Sequence, residues 1–298
     1  MSEFYTPLLD GHRRAVEEAL PGYLPAGDYP QATVMRAMRY ACSEGGKRLR
    51  PVLTLEFCRL CCGEAGRAMP FAAAVEMVHS YSLVHDDMPC MDNSPLRRGK
   101  PSVHAAFGED MALLAGDGLL NLAFETMLNP AGRPEISAGR VLSAAFTLAK
   151  AAGIYGMVGG QVIDLESEGR AIDLDRLRVL QEGKTAALMA AACEMGCIVG
   201  GGENAQTDAA RQYGLHIGLC FQMIDDILDV TATSAQLGKP VGSDASNEKT
   251  TYVSLLGLDE VRRLAGEHTE AAVRALAAFP RDTEDLRLLA DRLLNRTR

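Results

Sequence analysis

The sequence predicts an all-α protein of about ten or more helices packed around one core. Apolar residues recur at helical spacing through most of the 298 residues, and this spacing is typical of amphipathic helices. Ala, Leu, Met, Glu and Arg dominate the composition, and all five favour helix. Alternating runs of β-branched residues, which would indicate strands, are essentially missing. These three observations together favour a helical fold without an extended sheet.

Clusters of glycine and proline, which interrupt regular structure, separate the predicted helices. The helices are predicted over 10–20, 31–44, 50–62, 68–88, 110–128, 135–156, 173–199, 206–230, 258–278 and 282–296. No repeat, low-complexity tract or long linker divides the chain. Residues 1–298 are therefore predicted to form a single domain.

The formal net charge of −9 argues against nucleic acid as a partner, because phosphate backbones are bound by an excess of lysine and arginine. It allows a small anionic substrate, since a bound cation or a local basic cluster reverses the local potential. The first residues show no secretory signal pattern. The apolar stretch 186–199 is alanine-rich and interrupted by Glu194, which favours a buried helix over a membrane span.

Eight cysteines are scattered along the chain. Cys58, Cys61 and Cys62 have the spacing of half a zinc site, but no second pair of ligands follows at a suitable distance. We therefore expect reduced thiols that pack as small hydrophobic groups. Such thiols indicate a reducing compartment, most simply the cytoplasm.

The first acidic cluster consists of Asp86, Asp87 and Asp92, at the end of a long apolar helix. Carboxylates in apolar surroundings are costly unless they are paired or bind a metal. Pro89 interrupts the helix, which allows Asp92 to turn back toward the same ion. Hard divalent cations such as Mg²⁺ bind one or two carboxylates together with substrate phosphate oxygens.

Arg97 and Arg98 follow this cluster directly, and Lys100 comes two residues later. Arginine offers a planar fork that bonds phosphate oxygens in pairs. Carboxylates followed by two arginines suit a substrate whose phosphates bind metal on one side and protein on the other.

The second acidic cluster consists of Asp225, Asp226 and Asp229. On a helix, Asp225 and Asp229 share a face with Gln222, while Asp226 lies about 100° around the axis. The pattern fits either a second metal site or a solvent-facing charged stripe on an amphipathic helix.

Segment 45–51 reads GGKRLRP and places three cations at the start of a predicted helix. The helix dipole disfavours cations there, and a bound anion would resolve that conflict. A chance basic turn is the other interpretation. A nucleotide-binding P-loop is excluded, because the G-x-x-x-x-G-K-[ST] motif does not occur.

Weaker signals come from single polar residues on predicted helices. Lys184 and Thr185, and the pair Gln161 and Asp164, either line a cavity or are ordinary surface positions. His79 on an apolar helix is most often a satisfied core histidine. With Glu76 it also forms one Glu-x-x-His motif, but a di-iron site needs a second copy on another helix, and the chain has none.

The polar stretch 231–250 is the one long loop that the sequence predicts, and it carries Lys239 and Lys249. It is either a solvated loop or a lid over an active site, since long loops in compact domains are often functional.

Taken in order, these motifs resemble the trans-isoprenyl diphosphate synthases, the polyprenyl synthetase family that includes farnesyl and geranylgeranyl diphosphate synthases. The resemblance runs over nearly the full chain: GGKRLRP, DDx₄D with LRRGKP, GGQx₂D, KT, FQx₂DDx₂D, GK and KTTY. It implies a homodimeric all-α bundle of the isoprenoid-synthase type around a central cavity. One departure is that Asn93 and Ser94 stand where many relatives carry further acids.

The resemblance also implies a division of labour among these residues. Two Mg²⁺ ions would be bound by Asp86, Asp87 and Asp92, and a third by the cluster with Asp225 and Asp229. The allylic diphosphate would be held with Arg97, Lys184, Thr185, Gln222, Lys239 and Lys249. Isopentenyl diphosphate would be held by Gly46, Lys47, Arg50, His79 and Arg98.

Product length would be set along the helix that precedes Asp86. Tyr81 lies five residues upstream, roughly 7.5 Å along the axis, where a phenol ring could stop chain growth. Tyr81 and Ser82 resemble the arrangement in bacterial farnesyl synthases, which favours a fifteen-carbon product from dimethylallyl and geranyl diphosphates. A geranylgeranyl synthase is the alternative, because LVHDDMPCMDN also resembles plastid enzymes.

Two other readings have less support from the sequence. A non-catalytic subunit of a heteromeric synthase would typically lack one aspartate cluster or the basic set, and all of these are present. A terpene cyclase would need one diphosphate site only, which would leave segment 45–51 without a purpose.

Overall fold

The structure is a computed structural model that describes residues 4–43, 45–129, 136–231 and 249–296. These residues are almost entirely helical, which confirms the predicted all-α class. The α-helices in chain order are α1 Pro7–Tyr23, α2 Ala32–Ser43, α3 Leu49–Cys62, α4 Met69–Asp86, α5 Val103–Phe107, α6 Glu109–Leu128, α7 Ala138–Ala152, α8 Met157–Glu166, α9 Leu174–Gln181, α10 Ala187–Val199, α11 Asn204–Thr231, α12 Tyr252–Leu256, α13 Leu258–Ala275 and α14 Glu284–Leu294.

Shorter elements connect these helices. Ala65–Ala68 and Leu276–Ala278 are 3₁₀ turns, and Glu182–Ala186 is a single π-helical turn between α9 and α10. The strands β1 Leu96–Arg97 and β2 Lys100–Pro101 form one antiparallel hairpin. The sequence predicted none of these, because elements of two to five residues are shorter than one full amphipathic period.

Two predicted helices differ from the structure. The helix predicted over 135–156 ends at Ala152, and after a turn at 153–156 the helix α8 begins at Met157, in a stretch where no helix was predicted. The helix predicted over 173–199 is interrupted by the π turn. The predicted loop 231–250, including Lys239, lies mostly outside the described residues.

Two helices run through the interior and are apolar on nearly every face. In α4, eight consecutive residues from Phe71 to Val78 are buried, and α10 is buried along almost its whole length. A helix that is hydrophobic all round belongs in a core. The stretch 186–199 is therefore a buried helix, as predicted.

The core around these helices divides into two clusters. One gathers side chains of α2, α4, α6 and α7, and the other joins α3, α10, α11, α13 and α14. Close helix contact at Gly218 links α11 to the π turn, because a Cβ there would lie only 2.6 Å from the Cα of Ala186. Glycine at this point lets α11 approach the π turn closely.

Two stretches, Glu109–Leu128 and Ala138–Glu166, are long and apolar enough to cross a membrane by length and composition alone. Each packs one side into the core and leaves large apolar side chains exposed. The exposed set is Leu113, Leu114, Leu128, Leu142, Phe146, Ile154, Tyr155, Val158 and Val162. We call these residues the apolar face of α6, α7 and α8; Ile154 and Tyr155 lie in the turn that joins α7 to α8.

A buried carboxylate joins α1 to α3. The Glu56 side chain is 0% exposed and accepts hydrogen bonds from Arg59 Nε at 2.8 Å and Arg59 Nη2 at 2.6 Å. His12 Nε2 lies 3.0 Å from Glu56 Oε2, the oxygen that also accepts from Arg59 Nε. Both oxygens of the carboxylate therefore have partners, which is what burial of a charge requires.

A histidine pair joins α11 to α13. The Nδ1 atoms of His216 and His268 lie 2.8 Å apart, so one ring must be neutral to accept the bond. Burial, and then the neighbouring His216 and Arg178, lower the pKa of His268 to about 4. Burial also lowers the pKa of His216.

The low pKa of His268 predicts that the protein loses stability in mild acid. An unfolded histidine takes up a proton near pH 6.5, whereas His268 in the folded chain does so near pH 4. Between these values the unfolded chain binds more protons, so the free energy of unfolding falls as the pH falls. Urea unfolding at pH 7 and pH 5 should show this loss, and His268→Gln should reduce it. An equal loss in the variant would contradict the assignment.

Candidate active site

The first aspartate cluster closes on itself at the end of α4. After Asp87 the chain turns, and the backbone N–H of Asp92 donates to the carbonyl of Asp86 at 2.9 Å. The N–H of Ser94 donates to the carbonyl of Asp87 at 3.1 Å. The turn therefore brings Asp92 back beside Asp86, as the sequence predicted from Pro89. Asp92 is exposed, whereas Asp87 is only 2% exposed.

Burial and two neighbouring acids disfavour the charged form of the Asp86 carboxyl. Burial, together with Asp92 and Asp87, raises its pKa to about 6, although Lys184 and Arg97 act in the opposite direction. A cation bound here would relieve that repulsion, and oxygen donors alone suit Mg²⁺. The donor set therefore fits the predicted metal.

The protein does not supply a complete cage for that metal by itself. Among the residues that the structure describes, no three His, Cys, Asp or Glu side chains are gathered closely enough to hold an ion. Mg²⁺ usually keeps several waters and takes phosphate oxygens from its substrate. A site completed by a diphosphate is consistent with this arrangement.

The hairpin after the cluster directs its two arginines to different partners. Arg98 and Gly99 both have positive φ, 52° and 79°, as the two-residue type I′ turn requires. Arg97 on β1 donates Nε to both Asp87 oxygens, at 3.1 and 3.0 Å. Arg98 at the turn donates to the carbonyl of Gly45. Its guanidinium fills the space that a Cβ on Gly46 would occupy, 2.8 Å from Nη1.

Segment 45–51 lines a cavity of about 380 Å³ that we call the basic cavity. Lys47, Arg50, His79 and Arg98 lie in its wall. Burial lowers the pKa of Arg50 to about 10, and the Arg50 Nε has no hydrogen-bond partner among the described residues. Burial and the surrounding arginines hold the pKa of His79 well below its usual range. Crowded cations with an unpaired donor indicate a site for an anion.

The basic cavity contains residues that sequence reasoning missed. Arg296, after α14, stacks its guanidinium 4.1 Å from the ring centroid of Phe221 and donates to Asp225. The Lys47 ammonium lies 5.0 Å from the Phe4 ring and 5.5 Å from the Phe221 ring. Single residues near the two ends of a chain carry no local pattern, so their convergence was invisible in the sequence.

A second compartment, the lysine cavity, has a volume of about 150 Å³ and surrounds Lys184 and Lys249. Lys184 lies in the π turn, a distortion that often marks functional positions. Its Nζ lies 2.6 Å from Asp164 Oδ2, and Lys249 Nζ lies 3.8 Å from the same oxygen. A Cβ on Gly160 would lie 2.2 Å from the backbone nitrogen of Lys184. Glycine in α8 therefore permits the contact that brings Asp164 to Lys184.

A chain of hydrogen bonds runs from the π turn to α12. Thr185 Oγ1 donates to Gln222 Oε1 at 3.5 Å, and Gln222 Nε2 donates to Asp226 Oδ1 at 3.1 Å. The other oxygen of Asp226 accepts from the backbone N–H of Tyr252 at 2.9 Å. This chain orients the Thr185 hydroxyl and the Gln222 amide at the wall of the lysine cavity.

The aspartates of α11 face different compartments. Asp226 lines the lysine cavity and Asp225 lines the basic cavity, as expected for neighbours about 100° apart on a helix. Asp229 is 3% exposed. Asp226 thus lines the same cavity as Lys184 and Lys249, whereas the sequence assigned the metal to Asp225 and Asp229.

An apolar cavity of about 370 Å³ lies between α4 and α8. Tyr81, Ser82 and His85 line its α4 side, and Asp86 lies in the same wall. Tyr81 is 7% exposed and meets the His85 ring edge to face, with centroids 5.8 Å apart. The α8 side is formed by Met157, Val158, Gln161, Val162 and Leu165.

The three compartments adjoin one another. Lys184 and Thr185 line both the apolar and the lysine cavities, while Arg50 and His79 line both the apolar and the basic cavities. The site is therefore one apolar space with a compartment lined by lysine or arginine on each of two sides. It could hold two anionic groups and one long apolar tail together.

Comparison with known proteins places this site in a family. A model described as polyprenyl synthetase matches residues 31–284. The chain is 45% identical over 270 residues to the heterodimeric geranylgeranyl pyrophosphate synthase large subunit 1, chloroplastic, of Arabidopsis thaliana, covering 90% of this chain and 72% of that protein. It is 43% identical over 268 residues to the farnesyl diphosphate synthase of Geobacillus stearothermophilus, covering 90% of both.

A solved structure agrees with these relatives. The FPP/GFPP synthase of Zymomonas mobilis superposes with a TM-score of 0.84 at 36% identity, over 96% of this chain and 97% of that one. The fold, the order of the motifs and the paired anion compartments agree with the family match, and the chain belongs to the polyprenyl synthetase family.

Proposed function

We propose that the protein is a Mg²⁺-dependent prenyltransferase that condenses isopentenyl diphosphate head to tail with dimethylallyl and geranyl diphosphates, giving farnesyl diphosphate. The observation that carries the proposal is the apolar cavity flanked by the lysine and basic cavities. A prenyl transfer between two diphosphates needs two anion subsites and one apolar space for the growing tail.

The allylic diphosphate binds between the aspartate cluster and the lysine cavity. Two Mg²⁺ ions would be held by Asp86, Asp87 and Asp92, and a third by the α11 cluster of Asp225, Asp226 and Asp229, of which Asp226 lines the lysine cavity. When bound, the ions stabilise the charge that develops on the leaving diphosphate. Arg97, Lys184, Lys239 and Lys249 contribute positive charge to the same diphosphate.

Isopentenyl diphosphate binds in the basic cavity, where Gly46 leaves room for the Arg98 guanidinium. Lys47, Arg50, His79 and Arg98 hold its diphosphate, and its double bond extends into the apolar cavity. The unpaired Arg50 Nε supports this subsite, because a buried donor without a partner is costly until a ligand accepts from it.

The reaction breaks the allylic C–O bond, and the electron pair leaves with the diphosphate. The Thr185 hydroxyl and the Gln222 carbonyl oxygen present negative dipole ends to the resulting allylic cation. The double bond of isopentenyl diphosphate attacks that cation, and holding the two together is chiefly a matter of positioning. A proton then leaves to the released diphosphate. The apolar walls exclude the water that would otherwise capture the cation.

Tyr81 sets the length of the product. Its ring lies in the wall of the apolar cavity, is 7% exposed, and is braced by His85. Burial raises the pKa of Tyr81, so the phenol stays neutral and apolar. A rigid ring five residues before Asp86 supports a fifteen-carbon product, while relatives named for geranylgeranyl products make the twenty-carbon diphosphate the alternative.

The assembly proposed is a homodimer in the cytoplasm. The apolar face of α6, α7 and α8 exposes 70% of Phe146 and 87% of Tyr155, which supports burial against a second copy. All eight cysteines are free thiols, which supports a reducing compartment. Neither nucleic acid nor a membrane is a proposed partner.

Asp87→Ala should lower turnover by roughly a hundredfold or more, because a ligand of the metal and the partner of Arg97 are lost. Product formation from isopentenyl and dimethylallyl diphosphates in Mg²⁺ would be measured, with circular dichroism to check folding. Asp175→Ala removes an exposed acid on α9 and is the matched control. Near-normal turnover in Asp87→Ala would reject the metal assignment.

Tyr81→Ala should lengthen the product, because the ring no longer blocks the apolar cavity. Mass spectrometry of the diphosphates made with and without Mg²⁺ gives the chain length directly. Tyr29→Ala, at a 55% exposed tyrosine between α1 and α2, should leave the product unchanged. A twenty-carbon product from the unmodified protein would keep the reaction and reject farnesyl diphosphate as the product.

Phe146→Glu should convert the dimer into a monomer, because a charge at the centre of an apolar interface must be desolvated. Light scattering after gel filtration would then show the mass falling from twice the chain mass to the 31.9 kDa of one chain. Tyr29→Glu is the control. A dimer that survives Phe146→Glu would place the interface elsewhere.

A further inference from the structure

Glu76 has no part in the proposed reaction, yet it borders the basic cavity. It lies on α4 one turn before His79 and is 3% exposed. A buried carboxylate needs a partner, and the partner of Glu76 comes from segment 45–51. The Glu-x-x-His pattern of the sequence therefore has an explanation other than metal binding.

That partner is Arg48, whose backbone has an uncommon conformation. Its φ of 52° and ψ of 35° are left-handed, which is unfavourable for a residue with a side chain. It precedes α3 without capping the helix through its side chain. Arg48 is 7% exposed, and its Nη1 donates to Glu76 while its Nη2 donates to the Cys42 carbonyl at 2.6 Å.

The left-handed turn determines where the neighbouring cations point. The Arg48 side chain bonds Glu76, and this ion pair borders the basic cavity that Lys47 and Arg50 also line. A second anchor is the Tyr5 hydroxyl, which donates to the Lys47 carbonyl at 2.6 Å. The loop is thus held at its backbone and through one buried arginine, while two cations remain directed at the anion site.

Charge explains why an acid is needed at this place. Lys47, Arg48, Arg50 and Arg98 repel one another before any anion arrives. Burial and Arg98 favour the neutral form of Arg50, and Glu76 opposes them. One carboxylate that is already bonded to Arg48 offsets this repulsion without blocking Arg50, whose Nε stays unpaired.

We propose that Arg48 and Glu76 are positioning residues for the isopentenyl diphosphate subsite, whose buried ion pair holds loop 45–50 in the conformation that binds the diphosphate. The inference rests on the proposed function, since it assigns a role within that subsite. Neither residue contacts the reacting atoms, and both act through Lys47 and Arg50.

Glu76→Gln tests the proposal by separating the two substrates. Loss of the carboxylate should raise the KM for isopentenyl diphosphate about tenfold or more, the scale of a lost charged hydrogen bond. The KM for the allylic diphosphate and kcat should stay within about twofold. Calorimetry with isopentenyl diphosphate alone should show the same loss of affinity.

Two further variants guard against a folding defect. Arg48→Met combined with Glu76→Gln removes both charges, which is often tolerated far better than leaving one buried charge alone; this double variant should fold and still show the raised KM. Arg48→Lys keeps the charge but cannot bond Glu76 and the Cys42 carbonyl as a fork, so its KM should be intermediate.

Glu56→Gln is the matched control. It removes a buried carboxylate of α3 that is bonded to Arg59 and lines none of the three cavities. It should lower the midpoint of urea unfolding and leave both KM values unchanged. The proposal is overturned if the folded double variant keeps the wild-type KM for isopentenyl diphosphate, or if Glu76→Gln changes kcat and both KM values together. A wild-type protein that forms no product would instead reject the proposed function itself.

Discussion

Compensation of buried charge is the constraint on which the site depends. The apolar cavity between α4 and α8 has acids and bases concentrated around it, and a low-dielectric wall makes each unpaired charge costly. The protein pairs Asp87 with Arg97, Asp164 with Lys184, and Glu76 with Arg48. The pairs join residues 10, 20 and 28 positions apart, so the same contacts that neutralise charge also tie the hairpin, the π turn and loop 45–50 to neighbouring helices.

These pairs differ in what a ligand would do to them. Arg97 and Lys184 carry charge that a diphosphate could share, because their side chains are 28% and 25% exposed. Arg48 and Glu76 are 5% and 4% exposed in their side chains, and they hold a loop whose neighbouring cations face the cavity. The site therefore combines two partly exposed ion pairs, whose cations a diphosphate could share, with one buried ion pair that supports the loop.

Helix geometry explains how a small number of residues can line two different cavities. One turn of α4 presents His79 to the basic cavity and Tyr81 to the apolar cavity, and the helix ends at the aspartate cluster. On α11, Asp225 and Asp226 face different compartments because neighbours are about 100° apart. The π turn and its contact with Gly160 then place Lys184 and Thr185 where two cavities meet.

The helical class and most of the main helices follow from the sequence alone, because periodicity and short motifs are local properties of the chain. The same motifs named many of the residues that line the three cavities. The sequence extended the helix over 135–156 past its end at Ala152 and did not predict α8, whose Gly159 and Gly160 disfavour helix. It also missed Arg296, Phe221 and the pairing of Arg48 with Glu76. Those residues meet only when α1, α3, α4, α11 and the end of the chain pack together, since burial and charge pairing depend on distances that local sequence does not encode.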